Sequence, residues 1–276
     1  MLKYAFPIIA TLLLQVLNTA RAQNNAPLKQ GRIVYEQLIK GGKATITLNG
    51  NPQTMNRPDR ILRMEVLFTQ EESLRRQLET DERPEAEMAT PAAGSGFAGT
   101  VRMVSSFMSD ATIWHNFTEE RKVEQREAAG KKFLVQDSIR KNTWKLTGET
   151  KTILGYTCQK AISKTPVKSF NMQMQDGQMK RTEKWDTIDV TVWFTPAIAI
   201  PAGPEYQGQL PGLILETESR NGSNIIRAVE ITEKVKTNDI KEPKSGKKVT
   251  QAEYMKEVED SQKQMMERMR PSRTAF

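Results

Sequence analysis

The chain has 276 residues, 37% of them hydrophobic and 27% charged, and a formal net charge of +8. Charges of both signs in that proportion suit an ordinary solvated surface, and no basic-aromatic motif argues for nucleic acid. A single cysteine, Cys158, and a single histidine, His115, exclude an internal disulfide framework and the usual zinc ligand sets.

In chain order, Lys3 precedes an apolar run over residues 5–17 that ends in Ala20-Arg21-Ala22, a small-x-small cleavage site. Residues 1–22 therefore read as a signal peptide, and the mature chain is expected to be periplasmic or secreted. The run is shorter than the roughly 20 apolar residues a permanent span needs, and no transmembrane span is expected in the mature chain.

Residues 23–233 read as one antiparallel β domain, because short segments alternate apolar and polar residues between turn signals. In 31–48, Gly41-Gly42 suits a two-residue hairpin loop that would set Tyr35 opposite Leu48 and Gln37 opposite Ile46. Met64, Val66 and Phe68 share one side of a second strand, and further strands are expected within 112–118, 121–126, 132–136 and 143–146. Residues 79–100, with two prolines, three glycines and an acidic start, are expected to form a flexible insert.

Leu210-Pro211-Gly212-Leu213 has the residues of a type II turn, with proline presetting φ and glycine supplying a positive φ. The run 213–218 then continues as a strand buried on parts of both faces. Asn221-Gly222 is a strong hairpin signal, and counting outward pairs Ser219 with Asn224, Thr217 with Ile226, Glu216 with Arg227, Leu215 with Ala228 and Ile214 with Val229. The basic stretch 234–249 reads as a linker. Thr250 and Glu253 fit a capping box at the head of a helix over about 251–269, with Tyr254, Val258, Met265 and Met269 on one stripe and a tail to 276. The expected fold class is mainly β: a single curved antiparallel sheet, open or half-barrel-like, with a C-terminal helix.

Several blocks of residues resemble a family of exported bacterial proteins named for a Gly-Leu-Pro-Gly-Leu-Ile motif, the GLPGLI family. They comprise Trp144-Lys145-Leu146, Gly155-Tyr156 with Cys158, Val192-Trp193-Phe194-Thr195-Pro196, Gly203-Pro204, and Leu210-Pro211-Gly212-Leu213-Ile214-Leu215-Glu216. Gln209 stands where the motif has its first glycine. The resemblance implies a protein of the Gram-negative envelope, of uncharacterised biochemical function and sometimes discussed beside outer-membrane uptake systems. It brings no catalytic residues, and its motif residues are read as structural.

The remaining chemistry is sparse. His115 alternates with Ile113 and Phe117 on one strand face and reads as a satisfied or partly exposed strand histidine rather than a base. Cys158 reads as a small buried residue beside Tyr156. Glu216 and Glu218 share a strand face, a geometry that a glycosidase could use and that solvated strands also show. Met172, Met174 and Met179 would converge across a hairpin turning at Asp176-Gly177, a soft-sulfur set suited to Cu(I) and equally suited to adaptable apolar packing. The expectation is a non-enzymatic envelope protein without a cofactor, binding an apolar ligand or an outer-membrane partner. A methionine-rich copper-handling protein and an uncharacterised hydrolase are the alternatives.

Overall fold

The computed structural model describes residues 28–48, 51–78, 111–175 and 178–268. The expected signal peptide, the insert over 79–100, the Asp176-Gly177 turn and the tail beyond 268 lie outside the described residues.

Strands β1 (Gln30–Ile39), β4 (Arg60–Thr69), β5 (Glu72–Gln77), β6 (Thr112–Asn116), β7 (Arg121–Ala128) and β8 (Lys131–Ser138) build one half of the sheet. The other half consists of β9 (Lys145–Ile153), β10 (Tyr156–Gln175), β11 (Gln178–Thr195), β12 (Leu213–Ser219) and β13 (Asn224–Thr232). With the short β14 (Lys247–Val249), they form a single open sheet of 12 strands in the order β14-β8-β7-β6-β5-β4-β1-β13-β12-β11-β10-β9. All neighbours are antiparallel except β14, which runs parallel to β8. Helix α1 (Gln251–Arg268) follows, so the expected class, a mainly β open sheet with a C-terminal helix, is borne out.

The first expected hairpin is not formed. β1 pairs with β4 and β13, placing Tyr35 opposite Met64 and Ala228, and Gln37 opposite Leu62 and Ile226. Ile33, Val34 and Tyr35 are buried in succession, so β1 has apolar groups on both faces and takes a central position with a neighbour on each side. The chain between β1 and β4 instead forms a separate two-stranded ribbon, β2 (Lys43–Leu48) with β3 (Asn51–Asn56). Gly41 lies at its base, where an added Cβ would stand 1.8 Å from the Arg57 carbonyl oxygen. The glycine thus allows two passes of the chain to meet.

The second expected hairpin is present. Ser219, Thr217 and Glu216 pair with Asn224, Ile226 and Arg227, and the ladder ends there. Asn221 and Gly222 both have positive φ, at 54° and 73°, the backbone that a right-twisted hairpin prefers. β12 is buried on both faces, with Leu213, Ile214 and Leu215 fully enclosed. At the far edge, Thr150 lies opposite Gln159 and Leu146 opposite Ala161, which leaves 147–149 bulged around Gly148 at φ 81°.

Alternation along β4 divides the core. Met64, Val66 and Phe68 join Ile33 and Tyr35 on one face, as expected, and Leu67 joins Leu74, Trp114, Val123 and Leu134 on the other. Segment 196–212 covers the first face, inserting Ile198, Ile200 and Ala202. Ile240 and Val235, from the stretch expected to be a linker, pack on the second. Helix α1 covers β8 through Tyr254, whose ring meets Phe133 edge-on with centroids 5.7 Å apart. Its capping box forms as expected: the Thr250 amide donates to Glu253 Oε2 at 2.7 Å, and the Glu253 amide donates to Thr250 Oγ1 at 3.2 Å. Of the expected stripe, Tyr254 and Val258 pack on the sheet, whereas the Met265 and Met269 side chains lie outside the described residues.

Candidate functional site

Segment 196–212 and the strand that follows it account for most of the motif residues. Leu213 N donates to the Ile198 carbonyl and Ile214 N to the Ala202 carbonyl, which ties the segment to the start of β12. The Tyr35 hydroxyl donates to the Ile214 carbonyl at 2.7 Å and fixes that start to the central strand. Gly203 passes so close to β12 that a Cβ would meet Ile214 Cβ at 2.6 Å.

The turn at Pro211 differs from the expected type II. Gly212 N donates to the Leu210 carbonyl two residues back, a γ-turn centred on Pro211, and Gly212 is absent from the positive-φ residues. Its glycine is required by proximity instead, since a Cβ there would lie 2.3 Å from the Thr195 carbonyl oxygen. Pro196 and Pro211 are exposed at the corners, and Leu210 packs with Phe194 and Ile214. Gln209 has a defined role: its Oε1 accepts from the Asn142 amide at 3.0 Å and from Trp144 Nε1 at 3.1 Å. Trp144 also meets Tyr206 edge-on at 5.4 Å.

Glu216 pairs with Arg227 at 2.6 Å, as the hairpin register implied, and also with Lys151 at 2.7 Å. The carboxylate is buried and divided between two cations, and Lys151 lies 4.3 Å from the centroid of the Trp193 ring. No printed pairing brings Glu218 into this group, so the two acids do not act as a matched pair. Gly155, at φ 83°, turns β9 into β10. Cys158 is fully buried in the core that Tyr156 packs against, and burial pushes its thiol up to about 11.

A polar strip crosses the covered face of the sheet between its two apolar patches. Successive register pairs set Val66, Arg75, Ile113, Glu124 and Val135 in one row, and Phe68, Ser73, His115 and Lys122 in the next. Segment 196–212 flanks the strip on one side: Arg75 Nη1 donates to the Pro204 carbonyl at 2.7 Å, and Ser73 Oγ donates to Gln207 Oε1 at 2.5 Å. Tyr254 flanks the other, with the Arg126 guanidinium 5.5 Å from its ring centroid. Burial raises the Glu124 carboxyl, but Arg126 and Lys122 outweigh it and hold Glu124 below the usual range. Glu205 is raised by burial, against the pull of Arg75.

His115 departs from the expected satisfied strand residue. It is 8% exposed, and its Nδ1 has no hydrogen-bond partner. Burial, with Lys122 nearby, lowers its pKa to about 3, so the ring is neutral at physiological pH. The sequence gave no sign of this strip, because Lys122, Glu124 and Arg126 alternate like a solvated strand and only the register faces them toward segment 196–212.

On the opposite face, an open cleft of about 620 Å³ is bordered by Trp114, Arg121, Ile240 and Glu242. Arg121 lies 4.8 Å from the Trp114 centroid and donates through both terminal nitrogens to Glu242, which covers the ring.

β10 and β11 run on beyond the sheet. β9 pairs with β10 only as far as Ile162, and β12 with β11 only from Val190, so 163–175 and 178–189 pair with each other alone. Met174 lies opposite Met179 and Met172 opposite Arg181 in this register, whereas the side chains of all three methionines lie outside the described residues. Among the described residues, no cluster of His, Cys, Asp and Glu is suited to a metal ion, and no helix is long and apolar enough to cross a membrane.

A family model described as a protein of unknown function (Porph_ging) matches residues 144–216, the portion running from Trp144 to Glu216. No curated protein matches the chain. Two solved structures described as PNGF-II, in C2 and P21 space groups, are similar to it at 15% identity, with TM-scores of 0.49 and 0.48. They cover 84% of this chain, which spans about a third of their length, 33% and 34%.

Proposed function

We propose that the chain is a non-enzymatic protein of the bacterial envelope that binds an outer-membrane protein partner through the extended β10–β11 ribbon. The observation that carries this reading is the ribbon itself. At about 3.3 Å per residue it projects roughly 40 Å past the sheet, and a two-stranded hairpin without a third strand or a packed face is marginal in water. Both of its outer backbone edges are open to an added strand, a recurring way for sheets to bind extended partners. Pro166, opposite Thr187, fits such a position because proline is tolerated where a strand has no neighbour to accept its missing donor. Trp185, 66% exposed on the ribbon, supplies a large apolar surface.

Two further points favour a protein partner over an apolar ligand and over catalysis. The apolar face of the central strands is occupied by Ile198, Ile200 and Ala202 of the same chain. A histidine held near pKa 3 is a poor general base at neutral pH, and the Ser73 hydroxyl is engaged with Gln207. Placement in the envelope draws on the leader-like N-terminus and on the GLPGLI resemblance.

The test is photo-crosslinking in the native cell from position 185, with position 221 on the short hairpin as control. One envelope protein should be captured from 185 and not from 221. A chain shortened by removing 167–186 should keep its β circular dichroism and lose that capture. Capture retained by the shortened chain, or equal from both positions, would overturn the reading.

A further inference from the structure

We infer that the polar strip is a binding site for a small monoanionic carboxylate, with Arg75 as its charge partner and His115 as a hydrogen-bonding partner. The inference is independent of the partner reading, since the strip and the ribbon share no residues.

Arg75 is the central observation. Its guanidinium has five N–H donors, of which one goes to the Pro204 carbonyl, and it makes no ion pair among the described residues. Every other buried charge near it is matched. Glu124 gives one oxygen to Lys122 at 2.6 Å and the other to Arg126 at 2.6 Å, so the neighbouring acid is already fully engaged. A largely buried guanidinium without a counter-ion is costly, and an oxyanion that takes its forked donors relieves that cost.

His115 supplies the second observation. Arg75 lies opposite Ile113 and Ser73 opposite His115, so Arg75 and His115 are diagonal neighbours on adjacent strands and on one face. Diagonal positions of this kind lie within reach of long side chains. The unpartnered Nδ1 of His115 is therefore beside the unpaired guanidinium. An orphaned buried nitrogen next to an unpaired cation is the arrangement an absent oxyanion would leave.

Charge selects the ligand class. Arg75, Lys122 and Arg126 face Glu124 and Glu205, with His115 neutral, which leaves a surplus of one positive charge. That surplus suits a carboxylate and disfavours a phosphate dianion, which would stand beside the acids.

His115 is the chain's single histidine, so its ring resonances report on the site without ambiguity in a full chain that carries no histidine tag. The probes are acetate and inorganic phosphate at pH 7, with chloride holding the ionic strength constant. Acetate should shift the His115 ring signals saturably, phosphate should bind at least tenfold more weakly, and Arg75→Gln should weaken acetate at least tenfold. Arg75→Lys, which keeps the charge and loses the fork, should fall between. Should Arg75→Gln not fold, the unaltered chain still decides: its thermal midpoint should rise with acetate and not with chloride at equal ionic strength. A linear, unsaturated shift, an equal response in Arg75→Gln, phosphate binding as tightly as acetate, or no acetate-specific rise in midpoint would each overturn the inference.

Discussion

Gln209 stands where the name-giving motif of the GLPGLI family has glycine, and it acts as a brace, accepting from the Asn142 amide and the Trp144 indole at once. Gln209→Leu leaves both donors unpaired and should destabilise the fold by about 1–3 kcal/mol, whereas Gln209→Glu keeps the acceptor and should cost less. Urea unfolding checks this, and a loss below about 0.5 kcal/mol for the leucine variant would contradict the brace. The nearby Gly212 shows what a sequence can and cannot convey at this scale. Pro211-Gly212 announces a turn, but its type follows from the Thr195 carbonyl pressing against Gly212, and that contact comes from another strand.

Among the elements, those fixed by local chemistry were legible. Asn221-Gly222 allows a two-residue turn, and the turn sets the register that joins Glu216 to Arg227. Thr250 and Glu253 satisfy each other's amides within one turn of helix, so the start of α1 could be read directly. Thr250→Ala should cost about 1 kcal/mol of stability and reduce helical circular dichroism; an unchanged spectrum and midpoint would exclude a working cap. Gly41-Gly42 misled because the competing partners of β1, β4 and β13, are distant in sequence and bury both its faces, which no local turn signal can weigh against. The Lys151 partner of Glu216 and the polar strip were unreadable for the same reason: each depends on strands meeting across long separations. In the family-matched portion, Trp144, Gly203 and Leu210 were legible as structural residues through their motif, but their contacts were not.

At the scale of the whole molecule, buried ionisable groups make stability depend on pH. The unfolded chain protonates its histidine near pH 6.5, whereas folded His115 resists protonation until about 3. Its contribution is therefore full above 6.5 and is lost at up to about 1.4 kcal/mol per pH unit as pH falls toward 3. Glu65 adds to the loss further down. Burial raises it, but hydrogen bonds from Arg32 and Arg76 hold it below the ordinary carboxylate range, so its stabilisation persists above that range and disappears as pH falls through its folded pKa. Urea midpoints at pH 7, 6 and 5 should decline for the unaltered chain and decline less for His115→Gln. Parallel declines would show that His115 titrates normally.

The displaced residues around Gly148 bear on how such a molecule survives in company. A sheet that never closes has a rim at each end, and a straight rim invites a second copy to add rungs and start a fibre. Kinked at 147–149 and flanked by Lys145 and Lys151, the β9 rim breaks the row of aligned amides after a few rungs. Concentrated protein can thereby remain dispersed although the sheet stays open.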